Sequence, residues 1–265
     1  MQVFTDDGAS IDVDVDGSGD AAIVLLAGVA LSKSIWNEQV AELSKTHKVV
    51  RPELRGMGNS SAPDGPYLME RVAADVAGVM DALGIERATI AGHSLGGYVS
   101  MAFARMFSER VERLALVCSR IDADTPDVAR RRRELANRIE TSRSVEPVID
   151  AYLPLLIAPK TAAERPELVE RLRDIIAHTK PEGAAAMLRG MAERVSSDDI
   201  AADLDIPVLV VAGSLDALIP SEQSRYAAAA FPNGRLEVLD GSGHMPMLEQ
   251  PGRVTAALRE LLALA

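Results

Sequence analysis

The stretch ATIAGHSLGG, residues 88–97, contains the pattern Gly-x-Ser-x-Gly directly after a short apolar run. Apolar residues recur at helical spacing after it, so the pattern lies between a predicted strand and a predicted helix. Such a turn strains its serine, and glycines two positions away on either side avoid collisions with the neighbouring backbone. Ser94 is therefore the predicted nucleophile of a covalent mechanism.

A serine needs a neighbouring base to become a nucleophile, and the chain has four histidines. His93 adjoins the serine in the tight turn, His47 precedes an apolar strand and His178 ends a predicted helix, so each has a structural interpretation. His244 lies in the loop GSGHMP, residues 241–246, after the last predicted strand. It is the predicted general base.

The histidine in turn needs a carboxylate that fixes its tautomer. Asp216 is the predicted acid, because it follows a buried strand in the loop GSLDALIP, residues 213–220, at the sheet edge where the serine also emerges. The nucleophile, the acid and the histidine then follow one another in an order known from one hydrolase fold. Asp122 follows the strand before a helical segment and remains an alternative acid. Asp240 is interpreted as a capping residue of the histidine loop.

The negative charge that develops on an attacked carbonyl oxygen needs two hydrogen-bond donors in place beforehand. The first predicted donor is the Leu95 amide, because Leu95 begins the helix after the nucleophile. The second is the Val29 amide, in the loop AGVA, residues 27–30, where Gly28 lets the backbone approach closely. An ordinary turn after a buried strand remains the alternative interpretation of this loop.

Short aliphatic runs alternate with segments of helical period, which predicts βαβ units and a mostly parallel sheet. Ile11, Val13 and Val15 alternate with aspartates, which predicts a half-exposed antiparallel strand at the sheet edge. Apolar residues from Met69 to Leu83 predict a helix that Gly84 ends. The predicted buried strands are Ile23–Leu26, Lys48–Arg51, Ala88–Ala91, Val111–Val117 and Val208–Ala212, and Leu236–Leu239 is predicted to follow as a late strand.

The strand signal disappears between residues 122 and 202, where prolines separate stretches of helical character. This segment is predicted to be a helical cap inserted into a core domain made of residues 1–121 and 203–265. Leu168–Ile176 and Met187–Met191 indicate two of its helices. The basic run Arg130–Arg133 is interpreted as a solvated helix face.

The net charge of −11 argues against partners that are polyanions, so neither nucleic acid nor membrane is a predicted partner. Cys118 is the only cysteine, which excludes an intrachain disulfide. The longest apolar run, Ala21–Leu31, is shorter than the roughly 20 residues that span a bilayer. With no signal peptide evident, the predicted location is the cytoplasm and the predicted state a monomer or homodimer.

Taken together, these motifs resemble the α/β-hydrolase superfamily over nearly the whole chain. The turn RGMGNS, residues 55–60, is similar to the Arg-Gly-x-Gly-x-Ser turn of these enzymes, and Trp36 stands where many carry a tryptophan. Among them, the chain looks most like small bacterial esterases and lactonases of the 3-oxoadipate enol-lactonase type. It departs from the usual pattern at Ala27, where the family has a histidine, at Met57, and at Glu53, where aspartate is more common.

The resemblance implies an α/β-hydrolase fold: a mostly parallel central sheet flanked by helices, with an inserted helical cap. It also implies cofactor-free and metal-free hydrolysis of a small ester or lactone through an acyl-enzyme. Carbon–carbon bond hydrolases and haloperoxidase-like or perhydrolase enzymes keep the same serine, and a ligand receptor on this fold is an alternative of another class. The residues predicted to bind substrate are Gly28, Trp36, Leu153, Met187, Leu218 and Met245.

Overall fold

The computed structural model describes residues 1–264, which form a sheet with helices on it. The order of the eight strands across the sheet is β1-β2-β4-β3-β5-β6-β7-β8. All neighbouring pairs from β4 through β8 are parallel, whereas β2 runs antiparallel to both of its neighbours. The strands are β1 (Gln2–Phe4), β2 (Ser10–Asp16), β3 (Ala22–Leu26), β4 (Lys48–Pro52), β5 (Ala88–His93), β6 (Val111–Val117), β7 (Val208–Gly213) and β8 (Gly234–Leu239).

The predicted parallel sheet is confirmed, and every residue of β3, β5 and β7 is buried, because helices cover both faces. The prediction that β2 lies at the sheet edge is wrong. The short strand β1 pairs outside it, with Val3 opposite Ile11. The strand β1 has only three residues, which is too short for a pattern of alternating hydrophobicity to identify it from the sequence.

Helices connect the parallel strands and pack on the sheet, with α2 against α3 and α1 against α12. The predicted helix from Met69 ends at Ala82, and Gly84 follows in a left-handed conformation with φ of 65°. Outside the segment between β6 and β7, the α-helices are α1 (Asn37–Leu43), α2 (Met69–Ala82), α3 (Leu95–Met106), α10 (Ser221–Ala230), α11 (Pro246–Glu249) and α12 (Pro251–Leu262).

Between β6 and β7 the chain forms helices only, and we call residues 122–202 the helical insertion. Proline begins four of these helices, where its missing N–H costs nothing because the first turn has no acceptor for it. The helices are α4 (Pro126–Ser142), α5 (Glu146–Leu156), α6 (Pro159–Glu164), α7 (Pro166–Ala177), α8 (Pro181–Ala192) and α9 (Asp198–Ala201). Among residues 1–264, no helix combines the length and apolar character needed to cross a membrane.

Parallel strands end at one edge of a sheet, so the loops after them meet there. Four such loops follow β3, β5, β7 and β8, and they contain Val29, Ser94, Asp216 and His244 respectively. The topology therefore brings residues more than a hundred positions apart to one place.

Candidate active site

The turn between β5 and α3 holds Ser94 with φ of 51° and ψ of −114°, a conformation that is costly for a residue with a side chain. The Ser94 amide donates to the Val117 carbonyl at 2.9 Å, and the Ser119 hydroxyl donates to the Ser94 carbonyl at 2.8 Å. A Cβ added at Gly92 would lie 2.2 Å from the backbone of Gly96, so only glycine permits this sharp a turn. The surrounding backbone thus fixes the strained serine.

His244 and Asp216 form a buried pair, with His244 Nδ1 2.8 Å from Asp216 Oδ2. Because a carboxylate only accepts, Nδ1 carries the proton and Nε2 is left as the basic nitrogen. The other carboxylate oxygen accepts the Leu218 and Ile219 amides at 2.8 and 2.9 Å. Burial alone would raise the pKa of Asp216, but His244 and these amides outweigh it and hold the pKa below its usual value.

Asp122, the alternative acid, contacts arginines and not His244. The Asp122 carboxylate lies 3.8 Å from Arg120, and its backbone carbonyl accepts from Arg194. Asp240 accepts the Ser214 hydroxyl at 3.2 Å at the protein surface. Of the three candidates, Asp216 is the one bonded to His244.

His93 packs behind the pair, with its ring centroid 4.7 Å from that of His244. Its Nε2 lies 2.8 Å from the His244 carbonyl, so Nε2 carries a proton and donates. Complete burial lowers the pKa of His93 to about 3, which keeps the ring neutral. His93 therefore supports the backbone of the histidine loop without competing for the role of base.

Glu249 and Cys118 also support the histidine loop. Glu249 accepts the Gly243 amide at 2.8 Å, and its second oxygen accepts the Ala158 amide from the helical insertion at 3.0 Å. The Cys118 thiol lies 3.9 Å from the Gly243 carbonyl. Its sulfur and the ligand atoms of Asp216 and His244 lie within 4.8 Å of one another, and burial raises the pKa of the thiol.

The loop after β3 packs tightly against the nucleophile turn. A Cβ at Gly28 would lie 2.8 Å from His93 Nδ1, so this position requires glycine. The Leu31 amide donates to the Gly28 carbonyl at 3.2 Å, and the Thr179 hydroxyl of the insertion donates to the Ala30 carbonyl at 3.3 Å. These contacts stabilise the loop in which Ala27 replaces the usual histidine.

The two amides predicted to stabilise the oxyanion, those of Leu95 and Val29, belong to different elements of the fold. Leu95 is the first residue of α3, so its amide belongs to the first turn, which has no intrahelical acceptor. Val29 lines the same cavity as Ser94. Both residues thus lie beside Ser94, and the role of their amides as oxyanion donors stays a prediction.

A cavity of about 560 Å³ joins these loops to the helical insertion. Ser94, His244, Gly28 and Val29 line it on one side, and residues of α4, α5, α7 and α8 line it on the other. A second cavity of about 630 Å³ lies beside α7 and includes none of the predicted catalytic residues.

Of the residues predicted to bind substrate, Gly28 and Leu218 line the cavity that contains Ser94. The other four are buried in the core and are not among the residues that line this cavity. Trp36 is fully buried, and its indole donates to the Leu26 carbonyl at 3.3 Å. The other three are apolar side chains that pack against the hydrophobic core: Leu153, Met187 and Met245.

Sequence reasoning missed a set of arginines and tyrosines that line the cavity. Arg131, Leu135 and Arg138 recur on α4 at the spacing of one helix face, and that face is turned to the cavity. The interpretation of Arg130–Arg133 as a solvated face is therefore wrong for Arg132, which is half-buried and bonded to Asp124, whereas the other three are exposed. The residues of this kind are Tyr98, Arg120, Arg131, Arg132, Arg138 and Tyr152.

Comparison with known proteins identifies the fold family. The family model of the alpha/beta hydrolase fold matches residues 21–251. The chain belongs to the α/β hydrolase fold family. Its resemblance to this family, inferred from the motifs, is confirmed.

Three proteins show how similar the relatives of this α/β hydrolase are. An esterase from Thermogutta terrifontis, solved with malate bound, superposes with a TM-score of 0.95 at 34% identity, over 99% of this chain and 97% of that one. The enol-lactonase from Burkholderia xenovorans LB400 has a TM-score of 0.89 at 30% identity, over 97% of each chain. The 3-oxoadipate enol-lactonase 2 of Acinetobacter baylyi is 26% identical over 91% of this chain and 88% of its own length.

Proposed function

We propose that this protein hydrolyses carboxylic esters or lactones through an acyl-enzyme, with Ser94 as nucleophile, His244 as base and Asp216 as acid. The observation that carries the proposal is the 2.8 Å bond from His244 Nδ1 to Asp216, in a cavity that Ser94 also lines. That bond leaves the basic nitrogen of His244 free to take a proton. Names of similar proteins, esterase and enol-lactonase, support an ester or lactone as substrate.

In the first half of the reaction, Ser94 Oγ attacks the carbonyl carbon and its proton passes to His244 Nε2. The amides of Val29 and Leu95 stabilise the negative oxygen of the tetrahedral intermediate. The bond to the leaving oxygen then breaks, and His244 returns the proton to that oxygen. An alcohol leaves, or a lactone ring opens, and the acyl group stays on Ser94.

In the second half, His244 removes a proton from a water molecule, which attacks the acyl carbon. Collapse of the second tetrahedral intermediate breaks the bond to Ser94 Oγ, and His244 protonates that oxygen. The product is a carboxylic acid. Asp216 stays ionised throughout, because its pKa lies below the usual value, and it stabilises the protonated imidazole.

A short-chain 4-nitrophenyl ester tests the proposal. We expect the wild type to release nitrophenolate and Ser94→Ala to lose at least about a thousandfold in kcat/KM. Ser108→Ala is a matched control, because Ser108 is exposed and outside the cavity. Equal rates for wild type and Ser94→Ala would contradict a serine mechanism.

A further inference from the structure

The cavity beside Ser94 is lined by four arginines, namely Arg120, Arg131, Arg132 and Arg138. The chain as a whole carries 39 acidic and 28 Lys or Arg residues, so the charge of this lining is opposite to that of the protein. Glu134 is the one acidic residue of the lining, and it is bonded to Arg130 at 2.8 Å. Hydrolysis of a neutral ester requires none of these cations.

Two of the guanidinium groups belong to a buried cluster around Asp124, whose side chain is 1% exposed. Its carboxylate accepts from Arg120 at 2.5 Å, from Arg132 at 2.5 Å and from Arg194 at 3.1 Å. Arg194 also lies over the ring of Tyr98, 3.9 Å from its centroid. Three cations thus share one buried anion.

The nearest further acid is Asp122, which lies 3.8 Å from Arg120 and is 37% exposed to solvent. Even with Asp122 included, the three arginines leave one positive charge uncompensated. The side chain of Arg120 is only 8% exposed, and its Nε is a buried donor without a hydrogen-bond partner within residues 1–264. A guanidinium held away from water with unused donors is costly unless an anion completes its contacts.

Arg131 and Arg138 extend the positive lining toward solvent, because both are exposed and both line the cavity. In the part of the chain that the structure describes, neither forms an ion pair. Their exposed neighbours Arg130 and Arg133 are paired, with Glu134 and with Glu193, and lie outside the cavity lining. The two unpaired arginines of α4 therefore line the cavity, whereas Arg130 and Arg133, which are paired, do not.

We propose that the cavity selects esters or lactones that carry a carboxylate beyond the scissile bond. This inference rests on the proposed function. The buried Arg120 and Arg132 bind the carboxylate through charge-assisted hydrogen bonds, and Arg131 and Arg138 attract it at the entrance. The substrate class is thus the half-ester of a dicarboxylic acid, or a lactone with a free acid group.

A binding experiment on Ser94→Ala tests the inference without turnover. Titration calorimetry compares monomethyl succinate with methyl succinamate, which replaces the free carboxylate by a neutral amide of similar shape. Hydrogen bonds to a charged group are stronger than those to a neutral one, so we expect the carboxylate ester to bind at least about tenfold more tightly. We also expect this ratio to fall as salt rises, because part of the attraction acts through solvent.

Further substitutions in the Ser94→Ala protein show which arginines cause the preference for the carboxylate ester. The pair Arg131→Gln and Arg138→Gln lies on an exposed helix face, so it tests the lining without disturbing the core, and we expect the Kd ratio to fall about threefold or more. Arg133→Gln is the matched control, one exposed arginine of the same helix that does not line the cavity, and it keeps the ratio. Arg132→Lys keeps a charge but loses the planar fork, and we expect an intermediate ratio.

Equal Kd values for the two esters, or no measurable binding of the carboxylate ester, would overturn the inference. So would a control variant that lowers the ratio as much as the paired substitution does. Hydrolysis of the neutral 4-nitrophenyl ester by wild type is measured separately. Selective binding without any hydrolysis would overturn only the proposed function, and hydrolysis without selective binding would overturn only this inference.

Discussion

The cavity has two walls that are built differently. Loops at the edge of the parallel sheet form the core wall, which includes Val29, Ser94 and His244. Helices α4, α5, α7 and α8 form the insertion wall, which includes Arg131 and Tyr152. Backbone geometry fixes the core wall, whereas side chains on helix faces make up the insertion wall. We infer that the first supplies the reaction and the second selects the substrate.

The largest effect of a substitution in the core wall is expected for Asp216→Asn, which tests whether this wall supplies the reaction. The amide cannot hold His244 in the tautomer that frees Nε2, so we expect kcat to fall by about 10³ to 10⁴. Steady-state kinetics with a 4-nitrophenyl ester measures the change. Asp122→Asn is the control and keeps kcat within about threefold. If Asp122→Asn slowed the reaction and Asp216→Asn did not, the acid would be wrongly assigned.

Two apolar residues of the insertion distinguish a side chain that packs in the core from one that lines the cavity. Met187 is fully buried in the core, so Met187→Ala should lower the free energy of unfolding by about 2–4 kcal/mol. Leu155 is 38% exposed and lines the cavity, so Leu155→Ala should change stability by less than about 1 kcal/mol. We expect Leu155→Ala instead to raise KM for longer acyl chains. Urea unfolding and ester kinetics distinguish the two, and a large stability loss in Leu155→Ala would contradict this assignment.

The neutral His93 behind the core wall makes stability depend on pH. Its pKa is lowered to about 3 by burial, whereas a histidine in the unfolded chain titrates near pH 6.5. The contribution of His93 is therefore fully present above about pH 6.5 and decreases by about 1.4 kcal/mol per pH unit as pH falls toward 3. Between pH 7 and pH 5, the wild type should lose about 2 kcal/mol more free energy of unfolding than His93→Gln.

Urea denaturation at the two pH values measures this difference. An identical loss in wild type and His93→Gln would show that His93 is not held neutral by burial.

Glu249 joins the two walls, since it accepts the Gly243 amide on one side and the Ala158 amide on the other. In Glu249→Gln one acceptor oxygen becomes a donor, so one of these bonds is lost. We expect kcat for the 4-nitrophenyl ester to fall about three- to tenfold, because the histidine loop loses one support. Glu164→Gln, on an exposed residue, serves as control. An unchanged kcat in Glu249→Gln would mean that the loop does not depend on this bridge.

The core wall could be predicted from sequence because its signals are local. Ser94 lies between a strand and a helix, and Asp216 follows a strand, so the parallel topology alone places them at one edge. The strand β1 was missed because three residues gain their conformation only by pairing with β2. The predicted cytoplasmic location and the monomer or homodimer rest on composition and stay predictions.

The insertion wall could not be predicted in the same way. Met187 and Leu155 are both apolar residues on helices, and only the packing of the helices decides which one reaches the cavity. Arg131 and Arg133 are equally basic and lie on different faces of α4 because they are two residues apart, but only the packing of the helices decides which of them lines the cavity. Helix orientation is a tertiary property that no short motif encodes.

The central claim is that Ser94 carries the acyl group, and covalent labelling tests it most directly. The protein is treated with an alkyl fluorophosphonate, which reacts with activated serines, and the intact mass and the modified peptide are determined. We predict a single adduct on Ser94 in wild type and no adduct in Ser94→Ala. An adduct on another residue, or equal labelling of Ser94→Ala, would contradict the account.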